Sequence, residues 1–248
     1  MVNIKCKPVV VARGGFTGLF PEGSTEAIGI SKEISIFLCN LQFTKDAGAF
    51  CVTGIKLDNA TNIATFDPKL KTYKINGKDV QGHFMVDYTG AQIDHNVTMN
   101  QAIFSRPSFY DGMSPVLNVD GLLSGKSPPR LWLNVQYEAF YNEHGVKNTK
   151  GKAKNTKVIL QFLSANDHEP TTKQPYGSIV KDLAAIKSYA LGIMVPKEYI
   201  CPIKPDKYMG TPTTLVYDAH KQGLEVYASG FANDLFSSYS YNYDPTAE

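Results

Sequence analysis

Apolar and polar positions along the chain repeat one unit: a short run of β-branched and aromatic residues bounded by turn formers. Residues 8–12 (PVVVA), 34–43 (ISIFLCNLQF) and 49–52 (AFCV) open the series, the last two joined by Thr44-Lys45-Asp46-Ala47-Gly48. Residues 131–137 (LWLNVQY), 157–163 (KVILQFL), 189–195 (YALGIMV) and 224–228 (LEVYA) continue it. Apolar runs of this length without strict alternation read as strands covered on both faces, the habit of parallel sheets. Helical stretches lie between several of them, at 24–32, 177–186 and 213–222, and the last ends on Gly223, a usual helix stop. Alternating strand and helix predicts an α/β fold, a parallel sheet closed by helices.

Residues 55–129 break the rhythm with an alternating stretch at 71–76, the turn pairs Asn76-Gly77 and Asp111-Gly112, and few helix formers. They are read as an inserted lobe between the third and fourth strands, since connections that long carry function or structure of their own. Residues 145–157 hold five lysines and are read as a solvated loop in preference to an anion-binding one.

The length of 248 residues suits a single (β/α)8 TIM-type barrel, usually about 250 residues. Seven strand candidates stand against the eight a barrel needs. The eighth is expected beyond residue 248, in preference to two strands hidden in one run.

Composition narrows the classes. Hydrophobic residues make up 43% of the chain, with 14 Tyr and 13 Phe, enough for a large core and against global disorder. A formal charge of +2 gives no reason to expect a nucleic-acid partner. No apolar run approaches the roughly 18 residues of a transmembrane segment. The start, Met1-Val2-Asn3-Ile4-Lys5-Cys6, lacks the apolar region of a signal peptide, so the chain reads as a mature form or a cytosolic one. Cys6, Cys39, Cys51 and Cys201 show no C-x-x-C spacing, and two disulfides would allow three connectivities that sequence does not rank. Asn59-Ala60-Thr61 and Asn96-Val97-Thr98 are N-glycosylation sequons, as an extracellular protein would carry.

The opening PVVVARGGFTGLFPEGSTEA, with Ala12-Arg13-Gly14 and Pro21-Glu22-Gly23-Ser24, resembles the start of glycerophosphodiester phosphodiesterases. There a strand ending His-Arg-Gly precedes a loop with Pro-Glu-Asn-Thr. The stretch from Leu38 to Asp46 resembles that family's Glu-x-Asp-Val-x-x-Thr-x-Asp-Gly, and Val52-Thr53-Gly54-Ile55-Lys56-Leu57-Asp58 its His-Asp-x-x-Leu-Asp. Leu131–Gln136, Ala139-Phe140-Tyr141, the region of Tyr73-Lys74-Ile75-Asn76-Gly77 and the stretch from Leu224 to Asp234 look like the plant GPI-anchored cell-wall branch. The likeness spans nearly the whole chain. It implies secretion to the extracellular space or cell wall, a GPI-anchored parent chain, and a further domain in a longer protein.

It also implies what the chemistry needs: a divalent cation, Ca or Mg, on carboxylates, two histidines as general acid and base, and an arginine on the phosphate. Position by position, the histidines match Ala12 and Thr53, and the metal carboxylates match Leu38, Asn40 and Asn134; the lysine after the third metal ligand matches Gln136. Neither a methyl nor a neutral hydroxyl exchanges protons near neutral pH, and two amides beside a leucine hold no hard cation. No cofactor is expected.

Arg13 and Glu22 survive. Arg13 is read equally as an anion binder and as a structural ion-pair partner of Glu22, itself well placed near a helix start. The expected function is a catalytically degenerate phosphodiesterase-like protein, with a small anionic or carbohydrate ligand at the barrel mouth. Its candidate contacts are Arg13, Glu22, Asn40, Asn134, Gln136, Gln161, Ser229 and Asn233. The alternative is a weak or altered phosphoric diester hydrolase, because one fold supports many chemistries. His83, His95, His144, His168 and His220 are scattered and read as non-catalytic; Asp87 and Asp120 read as isolated carboxylates. Alternating Tyr and Ser at 236–243 suits sugar stacking or a loose terminus.

Overall fold

The computed structural model describes residues 9–30, 36–124, 130–146 and 157–231. They fall into two compact units, Met1–Lys150 and Gly151–Glu248.

The first unit contains, in chain order, β1 (Val11–Arg13), α1 (Thr25–Gly29), β2 (Ile36–Phe43), β3 (Ala49–Cys51), α2 (Ile63–Phe66), β4 (Lys71–Ile75), β5 (Lys78–Gly82), α3 (Gly90–Asn96), α4 (Val119–Leu123), β6 (Leu131–Val135) and α5 (Glu138–Glu143). The eight-residue β2 is its axis. β6 runs parallel along one edge, pairing residues 37–41 of β2 with 131–135. β1 and β3 share the other edge: β1 pairs parallel with residues 36–38, β3 antiparallel with 41–43. The reversed β3 corrects the expectation of a parallel strand there. Its connection from β2 is the short turn 44–48, and a parallel return needs a crossover of a dozen residues or more. Phe37, Cys39 and Leu41 of β2 cluster with Cys51, Leu117 and Val119, and a Cys39–Cys51 disulfide ties β2 to β3.

Residues 55–129 hold more helix than their composition predicts. α3 starts at a full capping box, in which Thr89 accepts from Gln92 N and the Gln92 side chain accepts from Thr89 N. The Asn76-Gly77 signal does form a hairpin, β4–β5, with φ of 50° and 79°, the doubly left-handed turn that matches strand twist. Phe50, Leu57, Ile63, Met85, Ile93 and Met99 share one buried cluster.

The second unit contains β7 (Ile159–Gln161), α6 (Tyr176–Ile179), α7 (Leu183–Lys187), β8 (Gly192–Pro196), α8 (Leu215–Lys221) and β9 (Glu225–Ser229). Its three strands pair parallel in the order β7-β8-β9. Phe162, Ile186, Ile193, Val195, Ala219 and Leu224 fill the space between sheet and helices. The single helix expected over 177–186 is two, because Asp182 starts a second by accepting from Ala185 N at 3.0 Å.

The described strands thus form a four-stranded sheet, a two-stranded hairpin and a three-stranded sheet. The α/β class expected from the sequence is observed, and among the described residues no closed ring of eight strands is seen. The lysine-rich stretch lies mostly, and the Tyr/Ser tail wholly, outside the described residues. The disulfide closes a loop of 12 residues, so Cys39→Ser/Cys51→Ser should lower stability by about 2–4 kcal/mol. Urea unfolding of both chains measures this, and equal midpoints would refute the pairing.

Candidate functional site

The candidate site lies where β1 and β3 meet along the edge of β2. Beyond Arg13 the chain leaves β1, and Gly14 N donates to Leu38 O at 2.9 Å; from the other side Val52 N donates to Asn40 O at 3.0 Å. The loop 14–24 fills the notch between them. Gly23 N donates to Gly14 O at 2.9 Å, and Ser24 caps α1 through Ala27 N at 3.2 Å. Gly14 has φ of +67°, and a Cβ there would stand 2.0 Å from Glu22 Cγ. Only glycine lets Glu22 lie this close.

Arg13 Nε and Glu22 Oε1 form an ion pair at 3.1 Å, unequal in exposure: the Arg13 side chain is 58% exposed and the Glu22 side chain 8%. The pair expected as one of two readings of Arg13 therefore exists, and it engages the inner edge of the guanidinium. Burial pushes the Glu22 carboxyl above the ordinary carboxylate range, against the pull of Arg13 and, more weakly, of Arg106. The Thr53 hydroxyl is buried beside it. The notch encloses about 10 Å³, at the threshold for one water, so it holds no organic ligand.

One pairing register away, Asn40 of β2 faces Asn134 of β6, and Asn134 Nδ2 donates to Asn40 Oδ1 at 2.8 Å. Leu38 is buried, next to Arg13 and Trp132 in register. Ala12 pairs with Phe37, whose ring sits in the apolar cluster around Cys39. Gln136 follows β6 and is half-buried.

In the second unit, Gln161 ends β7 half-buried, and Ser229 ends β9 with its hydroxyl donating to Val195 O at 3.1 Å. Asn233 lies outside the described residues.

Sequence reasoning missed how the loop is held. Gln101 Nε2 reaches Thr17 O and Phe20 O, each at 3.3 Å, and Arg106 Nη1 donates to Thr17 O at 3.0 Å and Thr17 Oγ1 at 2.8 Å. Tyr110 packs on Phe20 with ring centroids 4.4 Å apart. These partners are more than eighty residues apart, and no local motif signals them. His83, one of the histidines read as non-catalytic, is 2% exposed. Its ring nitrogens lie 2.7 Å from Asp58 Oδ1 and 2.6 Å from Asp67 O, and its backbone N donates to Asp58 Oδ2, which pins β5 to the chain before it. Asp87, read as isolated, takes Lys71 and the Tyr73 hydroxyl. His95 and His144 contact carbonyls four residues back, at 2.7 Å each, and His220 lies in the last turn of α8. Cys6 lies outside the described residues. Among the described residues no three His, Cys, Asp or Glu side chains gather as metal ligands.

This fold is that of glycerophosphodiester phosphodiesterases. The crystal structure of that enzyme from Agrobacterium tumefaciens matches with a TM-score of 0.54, covering 90% of this chain and 86% of the other, at 11% identity. Glycerophosphodiester phosphodiesterases GDPDL7 and GDPDL6 of Arabidopsis thaliana are each 48% identical over 275 residues, covering 98% of this chain. The chain belongs to this family of glycerophosphodiester phosphodiesterase-like proteins. It spans only 36% of the length of those two relatives. No family model matches the chain.

Two predictions follow the geometry of Gly14 and Glu22. Gly14→Ala should destabilise the protein by about 2–3 kcal/mol, since a left-handed backbone and a blocked Glu22 coincide there; thermal unfolding reads this directly. The raised carboxyl of Glu22 contributes stability that is complete below its unfolded value and lost as pH rises through the folded one. The wild type should therefore weaken over a window opening at 4.5 and extending upward, a slope that Glu22→Gln should remove. Parallel urea midpoints across that range check the sign.

Proposed function

We propose that this chain is a catalytically degenerate glycerophosphodiester phosphodiesterase-like protein that holds an anionic or carbohydrate ligand against Arg13. The observation that carries this reading is the Asn134–Asn40 hydrogen bond at 2.8 Å. This bond joins the two amides to each other at positions where the family resemblance implies metal carboxylates. A hard cation takes anionic oxygens, and the nearby carboxylate, Glu22, is already bound to Arg13. These side chains do not fit a divalent cation. Proton transfer is missing as well, because Ala12 and Thr53 offer a methyl and a neutral hydroxyl.

What remains suits binding. Glu22 grips Arg13 through Nε, so the terminal nitrogens of an exposed guanidinium are presented in a fixed direction. That planar fork matches a phosphate, sulfate or carboxylate. The amides of Asn40, Asn134 and Gln136 are the neutral polar groups assigned to the ligand's remaining oxygens. In architecture we read residues 1–248 as one phosphodiesterase-like barrel domain, with 55–129 as its inserted lobe. An extracellular or cell-wall location is supported by the Cys39–Cys51 disulfide, a bond that persists in oxidising compartments.

The second reading, a weak or altered phosphoric diester hydrolase, is favoured by the enzyme name that the relatives bear. One experiment separates the two. Calorimetric titration with glycerol 3-phosphate and with galacturonate should show binding that weakens about 10- to 100-fold in Arg13→Ala, the loss of one or two charge-assisted hydrogen bonds. Hydrolysis of glycerophosphocholine with added calcium or magnesium should match the Arg13→Ala background. Turnover well above that background would overturn the degenerate reading in favour of the hydrolase.

A further inference from the structure

The two Asn-x-Thr triplets lie on segments that fold against each other. Thr61 bridges Met99 antiparallel, Asn62 N donates to Thr98 O at 3.1 Å, and Asn100 N donates to Ala60 O at 2.8 Å. Within each triplet the exposure is split. Asn59 and Asn96 are exposed, while the central residues, Ala60 and Val97, are 4% and 1% exposed in the core. Both threonine hydroxyls are sealed. Thr61 is 4% exposed and donates to Leu57 O at 2.8 Å, and Thr98 Oγ1 is buried without a hydrogen-bond partner.

N-linked transfer needs both ends of the triplet: the asparagine amide as nucleophile and the hydroxyl two residues on as the recognition group. The fold offers the first and withholds the second. We propose that Asn59 and Asn96 are N-glycan acceptors competent only before this part of the chain folds, and that folding itself ends their competence. The inference rests on the extracellular reading above, which supplies the compartment.

The reaction balances without redox change. Asparagine Nδ2 bonds to the anomeric carbon of a lipid-diphosphate-linked oligosaccharide. The bond from that carbon to the diphosphate oxygen breaks, the lipid diphosphate leaves with the electron pair, and Nδ2 loses one proton. The modified amide keeps one N–H, so Asn96 Nδ2 can still donate to Gln92 O, now 2.9 Å away. Because both asparagines are exposed, the finished fold accepts the sugars it could no longer acquire.

The test has a cellular and a cell-free arm. Expressed behind a secretory leader in a eukaryotic host, the full chain should carry two glycans removable by peptide N-glycosidase, one lost in Asn59→Gln and the other in Asn96→Gln. With purified oligosaccharyltransferase and lipid-linked donor, chain made in bacteria should be modified at both sites when reduced and unfolded in a tolerated denaturant. The folded chain should be modified at least tenfold more slowly, and Thr61→Ala and Thr98→Ala should each abolish transfer to their own triplet. Transfer at equal rates to folded and unfolded chain, or none to the unfolded chain, overturns the proposal. Cell-free transfer alongside a glycan-free protein from the native source supports the acceptor assignment and overturns only the extracellular reading.

Discussion

Burying the polar residues of β2 is the constraint on which the first unit turns. Asn40 and Gln42 are 7% and 0% exposed in a strand paired on both edges. A buried amide without partners costs about 1–3 kcal/mol, so neighbouring elements must be placed to meet these. β6 brings Asn134 to Asn40, and α5 brings the Tyr141 hydroxyl to the Gln42 carbonyl oxygen. Gln42 Nε2 stays unmatched. The register of β6 and the position of α5 are thus set by polar demands from the middle of the sheet as much as by apolar burial.

Arg13 and Glu22 depend on the same strand from its other edge. β1 stops where it does because Gly14 turns away after its hydrogen bond to Leu38 O. The returning loop then brings Glu22 under Arg13, and Gln101 and Arg106 fasten that loop from eighty residues away. The buried member of the pair is anchored and its partner faces outward. Breaking the pair from the buried side would strand the exposed cation at small cost; breaking it from the outer side would leave an uncompensated buried carboxylate.

The strands were legible because their signal is local: each of the seven runs named from periodicity holds an observed strand, with ends shifted by a few residues. Arg13 and Glu22 were legible through a motif carried on one short stretch. What escaped depends on partners distant in the chain. Nothing near His83 announces Asp58, 25 residues earlier, and nothing near Asn40 announces Asn134, 94 residues later. The direction of β3 was recoverable, since a five-residue turn excludes a parallel return. So was α3, whose capping residues Thr89 and Gln92 stand three apart in plain view. The choice of Cys51 for Cys39 was not, because pairing is decided by the strand register that the turn imposes.

The tightness of the notch bears on how any ligand would behave over time. With room for one water at most in the notch beside Glu22, a ligand at its rim would not be enclosed and nothing would have to open for its release. A group held at such a rim would depart quickly, and lasting attachment would have to come from avidity. Repeated charges on a long polymer, each rebinding as its neighbour lets go, would retain the protein where a single small anion would not.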